Sequence, residues 1–504
     1  MWHSEEAFRT WIFNESTFND LHGSDSSDSD GDGNDAVPPR KPRSRKAFFS
    51  VEDRYSSFFY KTYLSETAIA EGIMNDDSWL GKKFRRRFRV PYSVFKEICL
   101  DIDLVLGERA MHDRASHETV PVSLLVLGSL RVIGSGCTFD AIEELTNFAE
   151  KTHRIFFHEQ FCNWGEQVSP THIKMPCDAE SLRHVLGLYE RLGHPGCTGS
   201  IDCVHVIWDK CPAGLKSACK GKGGFPTLAF QVVCSHTKKI MSVSVFFWGT
   251  VNDKTIAMAD DVFRKLRDDD APLRNIVWHT IKTKDAMNDN DTLTVESNDN
   301  YPIINRHYTI VSSTLTDIVI QFKGAYLISD GGYHRWGCLV NPYHLQPPGT
   351  DLELWSNNIE SVRKDIECVF GILKKRFLIL KHPIRLHSPY CIQRMFVTCC
   401  VLHNILLDYD GYNKWNEDNV ENSVEYNVLE ESAERRAQQS RNREAVSGVR
   451  SANREMYGGQ GDRDDDNDVC GYAPDEEEAY HARRFNLVKH LMRMRQMRLV
   501  HIGR

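Results

Sequence analysis

The chain has 504 residues, more than one hydrophobic core usually holds, so we expect two folded units with disordered ends. Hydrophobic residues make up 41% of it, and its longest apolar stretches, residues 120–133 and 395–407, are interrupted by polar residues and too short to span a bilayer. The acidic and aromatic N-terminus has no basic start and no long apolar core, so a secretory signal is not expected. An intracellular protein is predicted.

Charge is unevenly distributed along the chain. The formal net charge is -8, and residues 1–35 hold nine acidic residues against one arginine. Residues 36–96 hold fourteen Lys and Arg against six acidic residues. An acidic tail therefore precedes a basic segment, and the overall negative charge does not exclude a nucleic-acid partner.

The fifteen cysteines do not indicate a metal site. None forms a CxxC pair, and Cys399 and Cys400 are adjacent in an apolar helical stretch. Cysteine is among the most buried residue types, and thiols inside the cell stay reduced. We therefore predict reduced, buried thiols and no zinc.

The N-terminal residues 1–48 are predicted to be a disordered tail, acidic and then basic. Residues 20–46 contain almost no apolar side chain and cannot repay the entropy of ordering. The basic end is typical of a nuclear-import or nucleic-acid patch, and a solvated linker is the alternative. Its charges are Arg40, Lys41, Arg43, Arg45 and Lys46.

Residues 49–194 carry helical periodicity and are predicted to form a helical, DNA-binding domain. The predicted helices span residues 92–106, 120–133, 140–147, 150–161 and 179–192. The pair around residues 138–161 has helix-turn-helix spacing, as in many DNA readers. Core packing is the alternative, since its second helix has only Lys151, His153 and Arg154 as basic residues.

From residue 195 to 412 the pattern becomes mixed α/β. Residues 198–208, 227–235 and 240–248 are rich in Val, Ile, Phe and Thr and predict three antiparallel strands. A helix at 254–266, a strand at 325–329 and a long helix at 358–378 complete the layer. Residues 413–478 are predicted to be a disordered acidic linker, and residues 479–504 a C-terminal helix.

Three acidic residues stand where such a layer lets them converge. Asp202 lies inside the first apolar strand, where an unpaired charge is costly. Asp330 ends a strand before two glycines, where a loop leaves room for substrate. Glu367 borders the apolar stripe of the long helix, which aims it at the sheet. The plainer alternatives are a turn residue for Asp330 and a surface pair with Arg363 for Glu367.

This set of acids suits chemistry on a phosphodiester. Attack on phosphorus requires activated water and neutralised phosphate oxygens, and two hard divalent cations about 4 Å apart provide both. Such ions prefer carboxylate oxygens. Two strand aspartates and a helix glutamate are the smallest set able to hold the pair, so Mg²⁺ or Mn²⁺ is the expected cofactor.

Six blocks of the chain resemble the Harbinger-type DDE transposases, the group that includes the plant transposon proteins. The blocks, in that family's order, read GSIDCVHV, WDKCP, FFWGTVNDKTI, YLISDGGYHRWGCLV, VRKDIECVFGILKKRF and VTCCVLHNIL. They extend across residues 195–407, with weaker similarity further toward the N-terminus. Six ordered blocks are a specific signal.

The resemblance implies a ribonuclease-H-like fold and a DDE catalytic triad, whose matching positions are Asp202, Asp330 and Glu367. The block GTVNDKTI adds Asp253 as a fourth acidic candidate, for which a helix N-cap is the commoner role. Residues 267–310 lengthen the gap between the aspartates beyond the family norm. This insertion is expected to be polar and loop-like.

Several basic groups are candidates for binding DNA phosphates. The run KKFRRRFRV interleaves its charges with Phe84 and Phe88, which anchor it while the charges face DNA. A solvated loop is the alternative for the four lysines between the first two strands, and a helix-dipole role for Lys374. The candidates are Lys82, Lys83, Arg85, Arg86, Arg87, Arg89, Lys210, Lys216, Lys220, Lys222 and Lys374.

The function expected from these observations is that of a nuclear transposase, or of an endonuclease derived from one, that cleaves DNA and transfers strands with two metal ions. A domesticated DNA-binding or interaction protein without chemistry is the alternative. The resemblance also implies a Myb-like partner protein, with terminal repeats and target DNA as substrates. A homo-oligomer is a further expectation.

Overall fold

A computed structural model describes residues 55–106, 121–267, 273, 276–283, 317–412 and 474–496. The predicted tail before residue 49, the linker up to residue 473 and most of the insertion lie outside these ranges. The C-terminal helix begins at Pro474, five positions earlier than expected, and is described to Gln496.

Short helices build the part of the chain before the sheet, with π-helical turns at Tyr60–Leu64 and Phe157–Phe161. Phe84 and Phe88 are buried beside Tyr63 in an aromatic cluster, as the interleaved basic run predicts. The helices are α1 Glu66–Ala70, α2 Trp79–Phe88, α3 Tyr92–Leu106, α4 Val122–Ser135, α5 Phe139–Thr146, α6 Glu150–Phe156, α7 Cys162–His172 and α8 Ala179–Arg191.

A six-stranded mixed sheet forms the centre of the second half. Its order is β3-β2-β1-β7-β8, and β4 also pairs with β2. β1 is antiparallel to β2 and parallel to β7, which is parallel to β8. The strands are β1 Cys197–Ile207, β2 Thr227–Cys234, β3 Ile240–Val243, β4 Phe247–Trp248, β7 Tyr326–Ile328 and β8 Leu339–Val340.

The insertion departs from the loop expected between the aspartates. Two strands, β5 Val277–Thr283 and β6 Asp317–Lys323, form an antiparallel pair. β5 lies inside the predicted loop, so the expectation of a wholly loop-like insertion was wrong. The run VWHTIKT has the β-branched and aromatic residues of a strand, and neighbouring polar residues obscured it.

Two predicted elements are each divided in the structure. Residues 240–248 form β3 and β4, because the Phe246 N–H donates to the Gln393 side chain instead of continuing a ladder. Residues 253–267 form α9 Asp253–Ala259 and α10 Asp261–Arg267. Asp260 is extended, and its carboxylate accepts from the Val262 N–H and starts the second helix.

The long helix α11 runs from Asp351 to Arg376 and starts seven positions before the expected one. Thr350 accepts a hydrogen bond from the Glu353 N–H, while the Glu353 carboxylate accepts from the Gly349 N–H. This capping-box-like pattern sets the start. Ile366 and Leu373 of α11 share one core cluster with β1 and with helices α2–α7.

The helix α12 Pro389–Tyr409 packs against α7 and the edge strand β3. It is long and apolar enough to span a bilayer by length and composition, contrary to our expectation, but most of it is buried within the protein, so it is weak evidence for a span. Asn404, fully buried, bonds both backbone groups of Ile240 and the carbonyl of His172. One amide side chain thus covers the sheet edge.

The C-terminal helix α13 Pro474–Gln496 closes a second core cluster. Leu487 and Leu491 are fully buried there with Tyr326 and Leu327 of β7. The Arg484 guanidinium lies 3.6 Å from the centre of the Tyr343 ring. The helix therefore supports the strand that leads to Asp330.

We predict that Asn404→Ala lowers the free energy of unfolding by about 3 kcal/mol, because it leaves the buried backbone groups of Ile240 and the carbonyl of His172 unpaired. Urea unfolding followed by circular dichroism measures the change. Lys375→Ala, at an exposed position of α11, is the control and should stay within about 0.5 kcal/mol of the wild type. Equal losses in both variants would contradict the edge-covering role of Asn404.

Candidate active site

The register of the two parallel strands places Asp202 beside Asp330. Ser200 of β1 is paired with Ile328 of β7. Asp202 lies two positions after Ser200, within β1. Asp330 lies two positions after Ile328, just beyond the end of β7. Neighbouring strands are about 4.8 Å apart. The two carboxylates therefore emerge side by side where β1 and β7 end their pairing.

Beyond that pairing, the edge of β1 is open toward the acids. The next backbone partner on this side is Ile384, which bridges Trp208. Between the Ser200 pair and Trp208, no described strand pairs with this edge of β1. The Lys374 Nζ donates to the His205 carbonyl there, at 3.4 Å. The opening is a cleft with acids at one end and lysines toward the other.

The Asp202 carboxylate is strongly perturbed by its surroundings. Its side chain is 22% exposed, and burial raises its pKa to about 6, with Asp330 and Asp253 adding to the rise. The Cys203 N–H, which donates to its Oδ1 at 2.8 Å, and the Arg363 guanidinium oppose that rise. Burial is thus the largest cause of the raised pKa, and repulsion by the neighbouring carboxylates adds to it.

Arg363 of α11 connects two of the three predicted acids. Its Nη1 lies 3.7 Å from Asp202 Oδ2, and its Nη2 donates to Glu367 Oε1 at 2.8 Å. Its Nε also donates to Glu360 Oε2 at 3.1 Å. The surface-pair interpretation of Glu367 thus describes only part of a network that reaches the sheet. One guanidinium holds the helix glutamate and the strand aspartate together.

Asp330 lies in a tight turn after β7. Its Oδ1 accepts from the Gly332 N–H at 2.9 Å, and its carbonyl accepts from the Asn341 side chain. A Cβ at Gly332 would come within 3.1 Å of the same carboxylate oxygen. The turn interpretation of Asp330 is therefore correct, and the turn also fixes its carboxylate beside Asp202.

The fourth acid, Asp253, is the first residue of α9 and not its cap. Asn252 supplies the N-cap, with its side chain accepting from the Thr255 N–H. The Asp253 charge contributes to raising the pKa values of Asp202 and Cys203. Its carboxylate is thus oriented toward the cleft.

Sequence reasoning did not single out two side chains at this site, the buried Tyr333 and the partly buried Cys203. The Tyr333 hydroxyl lies 3.5 Å from Cys203 Sγ, and burial raises the pKa of both side chains. The negative charges of Asp202 and Asp253 also contribute to the raised pKa of Tyr333. The blocks SDGGY and GSIDC contain both residues, but only contact between the strand and the turn reveals them.

The donor chemistry of this site suits a hard divalent cation. Asp202, Asp330 and Asp253 offer carboxylate oxygens, and desolvation favours a positive partner. Within the described ranges, no group of three or more His, Cys, Asp or Glu is gathered closely enough to hold an ion. The Arg363 guanidinium supplies the positive charge between Asp202 and Glu367.

Some of the predicted DNA-contact residues are exposed, and others already contact groups within the protein. Arg85 is engaged by Asp410 in two hydrogen bonds of 2.6 and 2.7 Å, and the Lys83 Nζ lies over the Trp79 ring. Arg89 donates to the Gly134 carbonyl. Lys82 and Arg86 are exposed, while Arg87 and Lys374 are half-buried. The four loop lysines, Lys210, Lys216, Lys220 and Lys222, are all exposed.

The helix-turn-helix candidate is partly a packing element. The His153 ring is buried, and its Nε2 lies 2.7 Å from the Thr146 hydroxyl. A Cβ at Gly128 would collide with that ring. Lys151 and Arg154 stay exposed on the second helix.

No described cysteine forms a disulfide, and most of these cysteines are buried. The predicted burial of the thiols is therefore confirmed for most of the described cysteines.

Comparison with known proteins gives one family and one similar protein. The sequence model of the family described as plant transposon protein matches in two segments, residues 171–289 and 275–413. Protein ALP1-like from Arabidopsis thaliana is 21% identical over 336 residues, which cover 65% of this chain and 71% of that protein. No solved structure matches the chain.

We predict that Asp202→Asn stabilises the metal-free protein more at pH 7 than at pH 4. The folded-state pKa of Asp202 is raised to about 6 from an ordinary 3.8. The folded protein therefore binds this proton more tightly, and the associated stability is present below pH 4 and lost as pH rises through 6. The variant avoids that loss, so its advantage should grow by on the order of 2 kcal/mol.

Urea unfolding in EDTA at several pH values measures this difference. Asp209→Asn, at an exposed position with no buried acidic neighbour described, is the control. An advantage of Asp202→Asn that does not change between pH 4 and 7 would contradict the raised pKa.

Proposed function

The chain belongs to the plant transposon protein family, and from that premise we propose that it is a metal-dependent DNA endonuclease of the transposase kind. Its substrate is the phosphodiester backbone of DNA, and its catalytic acids are Asp202, Asp330 and Glu367. The observation that carries the proposal is the parallel register of β1 and β7, which sets two aspartates side by side at an open strand edge.

Each acid in this proposal is held by a different part of the fold. Asp202 is set by a central strand and Asp330 by a glycine turn. Glu367 comes from α11, which packs on β1 through the apolar face containing Ile366 and Leu373. The expected divalent ions, Mg²⁺ or Mn²⁺, would supply water activation and charge neutralisation when bound to these acids.

Arg363 has a positioning role in this mechanism. It holds Asp202 and Glu367 on one guanidinium, so their carboxylates stay close although they repel each other. Since three acids and Asp253 surround the cleft, some positive charge is needed for the fold to tolerate them. The residues that bind and orient DNA are the lysines along the β1 edge and in the loop that follows.

We further propose that the sheet is ribonuclease-H-like. Three antiparallel strands, β3-β2-β1, are continued on the other side of β1 by the parallel strand β7, and a helix bearing the third acid packs on β1. This order supports the fold expected from the sequence blocks.

The partners and location in this proposal follow from charge and from the family. DNA is bound by exposed lysines, and the basic patch at residues 40–46, outside the described ranges, directs the protein to the nucleus. A Myb-like protein assists in recognising the terminal repeats, and the chain acts as a homo-oligomer. The partly buried helix-turn-helix candidate, with few exposed basic residues, supports reliance on such a partner.

We predict that Glu367→Gln lowers Mg²⁺-dependent nicking by at least about 100-fold, because a metal-binding carboxylate is lost. Glu360→Gln is a matched control, since Glu360 contacts the same guanidinium one helical turn away and is not a proposed metal ligand. Nicking of supercoiled DNA carrying the terminal repeats measures the effect, with Asp202→Asn as a second inactive variant. DNA affinity should stay within a factor of about two.

Two results would oppose this proposal. Equal losses in Glu367→Gln and Glu360→Gln would assign both residues to a structural ion-pair network. A folded wild type that binds DNA but never nicks it, even with a Myb-like partner and Mg²⁺, would favour a domesticated DNA-binding protein.

We predict that Lys220→Gln with Lys222→Gln reduces the slope of log affinity against log salt by about two, since each lost phosphate contact removes roughly one. The matched control is Lys61→Gln with Lys96→Gln, two exposed lysines outside the loop. Fluorescence anisotropy with a duplex at several salt concentrations gives the slopes. Identical slopes for both double variants would remove the loop from the DNA interface.

A further inference from the structure

The loop between β1 and β2, residues 209–226, is a fixed structure. The Trp208 N–H donates to the Pro226 carbonyl, and the Gly221 N–H donates to the Phe225 carbonyl, both at 2.9 Å. The Thr227 N–H donates to the Cys219 carbonyl at 2.7 Å. These bonds hold the backbone on both sides of Phe225.

Close packing from a second segment strengthens the loop. A Cβ at Gly249 would lie 2.2 Å from the Thr227 hydroxyl and 2.4 Å from the Cys219 carbonyl, so only glycine fits. The next residue, Thr250, donates its hydroxyl to the Ala218 carbonyl at 2.7 Å. Gly249 and Thr250, in the sequence block that contains Asp253, therefore pack against this loop and hold it in place.

At the tip of this fixed loop the Phe225 ring is exposed. It is 62% exposed and follows Gly223 and Gly224, and a Cβ at Gly224 would meet no atom within 4 Å. Four lysines of the same loop are exposed as well, and the described part of the chain pairs none of them with an acid. An aromatic ring among unpaired lysines is a surface typical of single-stranded nucleic-acid binding, where bases stack and phosphates meet the charges.

The β1 edge leads from the acids to this ring. His205 lies three positions after Asp202, and its ring contacts the Thr227 hydroxyl at 2.9 Å. Lys374 and Lys222 both bring positive charge to His205. Phe225 precedes Pro226, which lies opposite Trp208, and Trp208 is six positions and therefore about 20 Å from Asp202 along β1. Along one strand of a duplex this length corresponds to roughly six nucleotides.

We propose that Phe225 stacks on an unpaired DNA base about six nucleotides from the phosphate held at the acids. The position of that phosphate rests on the proposed function, whereas the stacking itself does not. The fixed backbone presents the ring without an ordering cost, and the lysines hold the flanking phosphates. Fully paired DNA offers the ring no exposed base face, so the loop distinguishes opened from closed DNA.

The test compares two DNA probes in EDTA, so that it does not depend on catalysis. One is a paired duplex, and the other carries a single-stranded flap of the same length. The full-length wild type should bind the flap about 5- to 160-fold more tightly, the range for stacking of one base. Phe225→Ala should lose this preference with unchanged duplex affinity, and Phe225→Trp should retain it. Tyr412→Ala removes another exposed aromatic as the control.

A 2-aminopurine base placed at successive flap positions reports stacking by quenching of its fluorescence. Quenching in the wild type and Phe225→Trp, but not in Phe225→Ala, supports the proposal even if the wild type never nicks DNA, a result that would reject only the proposed catalysis. A Phe225→Ala protein that keeps the flap preference overturns the stacking role. So does a Phe225→Ala protein that changes only in oligomeric state, which would make the ring a protein contact.

Discussion

The burial of the Asp202 carboxylate in a central strand is the constraint on which the site depends. A charge in that position is costly unless it is paired, and only one basic side chain, that of Arg363, contacts it among the described residues. That guanidinium comes from α11 and also holds Glu367. The ion pair that stabilises the buried Asp202 charge therefore also holds Glu367 close to the sheet.

The opposite side of α11 is anchored by a second polar network. The Asp365 carboxylate accepts hydrogen bonds from the Lys238 Nζ and contacts the His236 ring, each at 2.6 Å. Burial opposes the charge of Lys238, but attraction to Asp365 prevails and raises its pKa. Asp365 lies two positions from Glu367 and therefore on the opposite face of α11. Its contacts with Lys238 and His236 fix the orientation of the helix about its own axis.

The turn that supplies Lys238 is itself held by α12. His403 contacts the Lys238 carbonyl at 2.9 Å, and the neighbouring Asn404 bonds both backbone groups of Ile240. The block VTCCVLHNIL therefore has a structural reason for its His-Asn pair. It connects the edge of the sheet to the helix that carries the glutamate.

Much of this arrangement could be predicted from the sequence, and the residues show why. The Val, Ile, Phe and Thr content of β1 and β2 predicted both strands to within a few positions. The apolar stripe of α11 predicted that helix, although it starts seven positions earlier than expected. The side-by-side aspartates followed from a charge inside an apolar strand. Arg363 as a bridge between α11 and β1 and the exposed ring of Phe225 depend on how distant segments pack, which periodicity does not encode.

In the proposed mechanism, the lysines near the site bind DNA and the acids carry out the chemistry. The acids cluster where β1 leaves β7, while Lys374 and Lys222 lie three positions further along the same edge, around His205. A phosphate backbone is therefore attracted at the lysines and repelled at the acids. Arg363 alone offsets only part of that repulsion, because its guanidinium is shared among Asp202, Glu360 and Glu367. In the proposed mechanism, DNA can dock without cations, but a phosphate approaches the acids only when further positive charge is bound there.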